Sequence, residues 1–118
     1  MHSARLLEHF QNPRNAGQLP QPATSVDVSN PACGDLLRLS ARFEEERVAE
    51  ARYQVRGCTA SIAAGSALTE WMLGKSRAEL AAVTAAAIEE AVGGLEPASQ
   101  HAAVLCVDGV KALLREIA

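Results

Sequence analysis

Three stretches of this chain hold side chains that could bind a metal ion or do thiol chemistry. The first, Asn30-Pro31-Ala32-Cys33-Gly34-Asp35, sets a thiol close before a carboxylate. Pro31 fixes its own φ and biases Asn30 towards an extended conformation, while Gly34 permits a sharp bend between the two candidate ligands. A thiolate and a carboxylate on one bend can share a metal ion, although an ordinary turn with a buried thiol uses the same residues. The second stretch is Gly57-Cys58-Thr59, where the residue pattern changes from strand to helix. A helix N-terminus carries partial positive charge and unpaired N–H groups, a setting that favours anionic ligands. The third is the start of the last helical segment, with His101 in its first turn and Cys106 further along.

Together these residues suggest one site. Cys33, Asp35, Cys58 and His101 offer two thiolates, a carboxylate and an imidazole, a donor set that suits tetrahedral zinc. Iron–sulfur clusters prefer thiolates but accept other ligands in place of some of them. Cys106 falls within the apolar stripe of the last helix and reads first as a small buried hydrophobe. It also lies one turn, about 6 Å, beyond Ala102 on nearly the same face, so a deeper site could draw on its thiol. His2 and His9 read as surface residues. No nucleophile–base pair and no phosphate-binding loop is evident, so no residue is assigned a catalytic role and a non-enzymatic protein is expected.

The elements that must position these groups follow from periodicity. Leu6, Leu7 and Phe10 mark one side of a short amphipathic helix, which Pro13 and Asn15-Ala16-Gly17 end. Val26 and Val28 alternate with polar neighbours and predict a first strand. Leu37, Leu39, Ala41 and Phe43 alternate with Arg38, Ser40 and Arg42 in a second, and Ala51, Tyr53 and Val55 alternate in a third. One face is apolar and the other polar, as in an antiparallel meander with one wet side. In such a pair the start of one strand lies beside the end of the next, so the Cys33–Asp35 bend and Cys58 can meet at one sheet end.

From Cys58 the period becomes helical, with Ile62, Leu68, Trp71 and Met72 among many alanines, and Gly74 closes the element. Ser76 and Glu79 have the spacing of a capping box, Thr84 caps a further helix, and Ser99 is expected to cap the last. The expected architecture is α+β: a three-stranded antiparallel sheet covered by helices, with a metal or cluster site at one end of the sheet, in one domain over residues 1–118.

Composition narrows the function classes. The 118 residues carry a formal net charge of −3, without any concentration of Lys or Arg, which argues against nucleic acid or an anionic membrane as partner. No apolar run reaches the roughly 18 residues that span a bilayer, and the charged start is unlike a secretory signal. A cytoplasmic protein is expected, and its three cysteines then point to metal binding or redox chemistry rather than disulfides. Alanine is abundant and aromatic residues make up only 3%, so helices should pack closely through small side chains.

In order and spacing, five stretches resemble the IscU/NifU N-terminal family of iron–sulfur cluster assembly scaffolds. They are Asn12-Pro13-Arg14-Asn15-Ala16-Gly17, Pro31-Ala32-Cys33-Gly34-Asp35, Gly57-Cys58-Thr59-Ala60-Ser61-Ile62-Ala63, Leu68-Thr69-Glu70-Trp71-Met72-Leu73-Gly74-Lys75-Ser76 and Asp108-Gly109-Val110-Lys111-Ala112. The resemblance implies a scaffold on which iron and sulfide assemble into a [2Fe–2S] cluster. A cysteine desulfurase would supply sulfur as a persulfide, and apo iron–sulfur acceptor proteins would take the product. Zinc is often held at the same site in the family. Cys33 and Cys58 match two of its three cluster cysteines, Asp35 its carboxylate, and His101 the histidine before the third cysteine. That third position is Ala102 here, with Cys106 four residues later. Leu95-Glu96-Pro97-Ala98-Ser99-Gln100 also lacks the family's Leu-Pro-Pro-Val-Lys sequence, which argues against delivery through an Hsp70-type chaperone.

Two further readings stand beside a divergent scaffold. One is a zinc protein that accepts and relays sulfur through Cys33, Asp35, Cys58 and His101 without building a cluster. The other is a paralogue that keeps the fold and has lost the chemistry.

Overall fold

A computed structural model of the chain describes residues 2–31 and 34–117. Helix α1 (Ala4–Gln11) leads to strands β1 (Thr24–Ser29), β2 (Leu36–Glu44) and β3 (Arg47–Arg56). Four helices follow: α2 (Thr59–Met72), α3 (Arg77–Ala81), α4 (Ala85–Ala91) and α5 (His101–Ile117), the last preceded by a 3₁₀ turn at Pro97–Ser99. The strands form an antiparallel sheet in the order β1-β2-β3. This is the expected α+β arrangement.

The alternation in the sequence translates directly into faces. Leu39 stands between Val26 and Tyr53, and Leu37 between Val28 and Val55. Leu37, Leu39, Ala41, Ala51 and Tyr53 are all nearly fully buried on the face that the helices cover. Helix α5 packs on β1 and β2, and α2 packs on β3, α1 and α5. Helix α2 is buried on almost every side, which its run of alanines permits: Ala60, Ala63, Ala64 and Ala67 let neighbouring elements approach closely. The opposite sheet face carries Arg38 paired with Asp27, Arg42 paired with Glu50, and a Ser25–Ser40 hydroxyl contact. Ser40 is fully buried although it belongs to this polar face.

Helix starts follow their capping chemistry. Ser3 accepts from the Leu6 N–H, Thr84 from the Ala87 N–H, and Ser76 with Glu79 forms the reciprocal box. Ser99 departs from expectation: it lies in the 3₁₀ turn, and the Gln100 carbonyl accepts from the N–H groups of Ala103 and Val104 instead.

Helix α1 also differs from the sequence reading. Leu6 is fully buried, but Leu7 and Phe10 remain 39% and 37% exposed. The residue that shares the buried face is His9, three positions on from Leu6 and only 7% exposed. Its Nδ1 lies 2.8 Å from the Ser66 hydroxyl, so the ring is buried with a partner rather than displayed at the surface.

Register fixes which connections meet at one end of the sheet. Leu36, the first residue of β2, pairs with Ser29 at the end of β1 and with Arg56 at the end of β3. The β1–β2 connection is closed by hydrogen bonds from Asn30 N to Asp35 O and from Gly34 N to Asn30 O. Gly34 turns the chain there with φ +77, a left-handed value that side chains with a Cβ rarely adopt. Asp35 therefore leaves the bend beside the point where β3 passes into α2.

Candidate metal centre

Three elements distant in sequence deliver one donor each. Asp35 comes from the bend before β2. Cys58 is the N-cap residue of α2, in extended conformation and with no side-chain capping bond, so its thiol is left available. His101 is the first residue of α5. Their ligand atoms all lie within 4.8 Å of one another. Cys58 Sγ is 3.4 Å from Asp35 Oδ2 and 3.5 Å from His101 Nε2, and His101 Nε2 is 3.4 Å from Asp35 Oδ2. The three-way convergence of sulfur, oxygen and nitrogen donors could hold a borderline-soft divalent metal.

Solvent reaches this group unevenly. Cys58 is exposed and the His101 side chain is 25% exposed, whereas Asp35 is only 6% exposed. Burial by itself would raise the Asp35 carboxyl. Hydrogen bonds from the Ser61 hydroxyl and from the Cys58 thiol and backbone N–H, with His101 close by, outweigh it and hold the group below its ordinary value. The carboxylate is thus kept anionic beside the other two donors.

Comparison with known proteins gives the family of the chain. The model of the NifU-like N terminal domain matches residues 1–116. The chain belongs to that family. Among relatives of the domain, the iron–sulfur cluster assembly scaffold protein IscU of Haemophilus influenzae is 34% identical over 119 aligned positions, covering 98% of this chain and 94% of that protein. The corresponding IscU 1 of Archaeoglobus fulgidus is 36% identical over 111 positions, covering 94% of this chain and 72% of the relative. In fold, the crystal structure of a NifU-like N-terminal protein from Brucella abortus superposes with a TM-score of 0.78 at 21% identity, over 98% of this chain and 92% of that one.

Within this NifU-like domain the other sequence candidates fall in different places. Cys33 lies outside the described residues. Ala102, the position of the family's third cysteine in the sequence reading, is fully buried in α5 beside His101. Cys106 is not drawn into the donor group: it is 2% exposed among the core side chains, and burial pushes its thiol up to about 12. The deeper site suggested for Cys106 therefore has no counterpart among the described donors, because the turn from Ala102 to Cys106 leads into the core. No helix among the described residues is long and apolar enough to cross a membrane.

Two residues to which the sequence reading gave no role of their own also border the donor group. Ser61, only 1% exposed, donates from Oγ to Asp35 Oδ2 at 2.5 Å and lies 3.4 Å from Cys58 Sγ. The signal was its position three residues after Cys58, one helical turn along the same face. Gly57 is the second: a Cβ there would come within 2.5 to 2.8 Å of the Asp35 carboxylate atoms. Its lack of a side chain lets the carboxylate rest against the α2 N-terminus and take the Cys58 N–H.

Proposed function

We propose that this NifU-like domain is a scaffold for the assembly and transfer of an iron–sulfur cluster, with Cys33, Asp35, Cys58 and His101 as its donors. The observation that carries the reading is the convergence of Asp35, Cys58 and His101 at the exposed end of the sheet. The relatives named iron–sulfur cluster assembly scaffolds support it. Iron and sulfide, or the [2Fe–2S] cluster they form, are cargo in this reading rather than a permanent cofactor. A cysteine desulfurase supplies the sulfur and apo iron–sulfur proteins accept the product, without an Hsp70-type chaperone.

The chain's own residues have distinct tasks. Cys58 presents an exposed thiol that can receive sulfur and hold iron. Asp35 adds a carboxylate kept anionic by its hydrogen bonds, and an oxygen ligand binds iron less tightly than a thiolate, which favours release. His101 approaches from α5 and closes the third side. The protein contributes position and charge; no proton-transfer step is assigned to it.

Anaerobic incubation with ferrous iron, cysteine, a desulfurase and dithiothreitol, which reduces the persulfide sulfur to sulfide, tests the reading. Visible sulfide-to-iron charge-transfer absorption is expected, together with transfer of the cluster to an apo-ferredoxin. Absence of that absorption would overturn the proposal. Cys106→Ser should leave the cluster yield unchanged, since the thiol lies in the core.

A second reading has one observation in its favour. With Cys106 in the core, Cys58 is the only thiol among the described residues at the site, and a mixed sulfur, oxygen and nitrogen set suits zinc. A zinc-bearing sulfur acceptor would purify with stoichiometric zinc, take up persulfide sulfur and build no cluster.

A further inference from the structure

The Asp35 carboxylate is contested. Its Oδ2 atom is the one that faces both Cys58 Sγ and His101 Nε2, each at 3.4 Å, and so is the oxygen nearest to where a shared ion would sit. The same Oδ2 accepts the Ser61 hydroxyl at 2.5 Å. Ser61 is 1% exposed and rooted in α2, so water has little access to replace it. A charge-assisted hydrogen bond donated to a carboxylate oxygen draws on lone-pair density that a metal ion bound to the same oxygen would use.

We propose that Ser61 is a positioning residue that keeps the Asp35 arm of the site labile, its hydroxyl competing with bound metal for Asp35 Oδ2. This rests on the reading of Asp35, Cys58 and His101 as metal donors and adds a control on how firmly they hold. A purely structural serine would have the opposite effect when removed. Losing a support for a ligand loosens metal, by about 10 to 100-fold in affinity where outer partners of metal ligands are changed. Loss of a competitor tightens it. The direction of the change therefore decides between the two roles.

The experiment uses cobalt(II) as the probe, because its thiolate charge-transfer and ligand-field bands report both occupancy and the donor set. The purified protein is loaded anaerobically with cobalt(II), and release into excess EDTA is followed by loss of those bands. Ser61→Ala is expected to release cobalt on the order of tenfold more slowly than the unaltered chain, the factor that corresponds to losing a competing hydrogen bond to a charged group. Ser61→Thr, which keeps the hydroxyl, should restore the original rate. Release from Ser61→Ala that is equal or faster overturns the inference. If the unaltered chain takes up no cobalt with a thiolate band, the donor-site reading itself fails.

Should Ser61→Ala not fold, the pair Asp35→Asn and Asp35→Asn/Ser61→Ala carries the test. Removing both polar partners together avoids stranding the carboxylate. The hydroxyl acts through Asp35, so both variants must release cobalt at the same rate. A difference between them overturns the proposal.

Discussion

Helix α2 buries two serines, and each meets a buried ionisable residue from another element. Ser61 meets Asp35 and Ser66 meets His9; the two partners are 6% and 7% exposed, respectively. At the His9 end the polar groups satisfy one another. The Ser66 hydroxyl takes the Arg14 N–H at 2.8 Å and bonds His9 Nδ1, while His9 Nε2 lies 3.6 Å from Glu70. At the Asp35 end the polar groups are also bonded, but they crowd an exposed thiol and a partly exposed imidazole whose donor atoms converge. The first arrangement joins α1 and the following turn to α2. The second holds an array of electron-pair donors at the surface. A buried polar pair thus means structure or chemistry according to whether its neighbours close it off or leave it facing solvent.

The sharpest separation of the two ends comes from Cys58→Ser. Removing the exposed thiol should lower cobalt(II) affinity by more than the roughly 100-fold that loss of an outer partner costs, with the thiolate charge-transfer band abolished. Unfolding free energy should stay within about 0.5 kcal/mol, as expected for a surface site. Gly57→Ala ranks next. The added Cβ displaces the Asp35 carboxylate, and affinity should fall by about 10 to 100-fold. Titration by cobalt absorption checks both, and an undiminished affinity in Gly57→Ala would mean that Asp35 is not held by this contact.

How far the sequence foretold this contrast depends on the residue. Strand faces were readable because alternation has a strict period: Leu37 and Leu39 had to point one way and Arg38 the other. The meeting of Asp35 with Cys58 followed from antiparallel geometry, and His101 from its place at a helix start. Ser66 was not readable, since a serine among alanines leaves no periodic mark, and Ser61 offered only its spacing from Cys58; either role exists only once a partner arrives from another element. His9 was misplaced for the same reason. Leu7 and Phe10 are more hydrophobic than His9, yet the buried face of α1 is the Leu6–His9 one, where Ser66 offers the ring a partner. Cys106 lay on the core stripe, and the structure keeps it there.

Ser66→Ala probes the closed end. It leaves His9 Nδ1 and the Arg14 N–H without their shared partner, and a buried unsatisfied group costs about 1–3 kcal/mol. Denaturant unfolding should register that loss while cobalt binding at the other end of α2 stays unchanged. An affinity that fell along with stability would show that the two ends are coupled through the helix.

The smallest effect is expected from pH, and it also divides the two ends. Burial is the main cause that holds His9 below its ordinary value of 6.5; Arg14 and Arg5 act in the same direction, and Glu70 and Glu8 oppose them. The folded chain then binds fewer protons at His9 than the unfolded chain, so stability rises with pH up to about 6.5 and levels off above it. On acidification it declines from about 6.5 until the folded-state value is passed. Asp35 behaves differently. Its carboxyl is lowered from 3.8, so its contribution is present above that value and is lost as pH falls through the folded-state value below it. Glu8 likewise lies below its ordinary 4.5. Between pH 6.5 and about 4.5 the decline should therefore report His9. His9→Gln, whose amide can still meet Ser66, should flatten the curve in that window and leave the steeper loss at lower pH intact. Urea midpoints measured at half-unit pH steps decide it: an unchanged decline in His9→Gln would place the titrating group elsewhere.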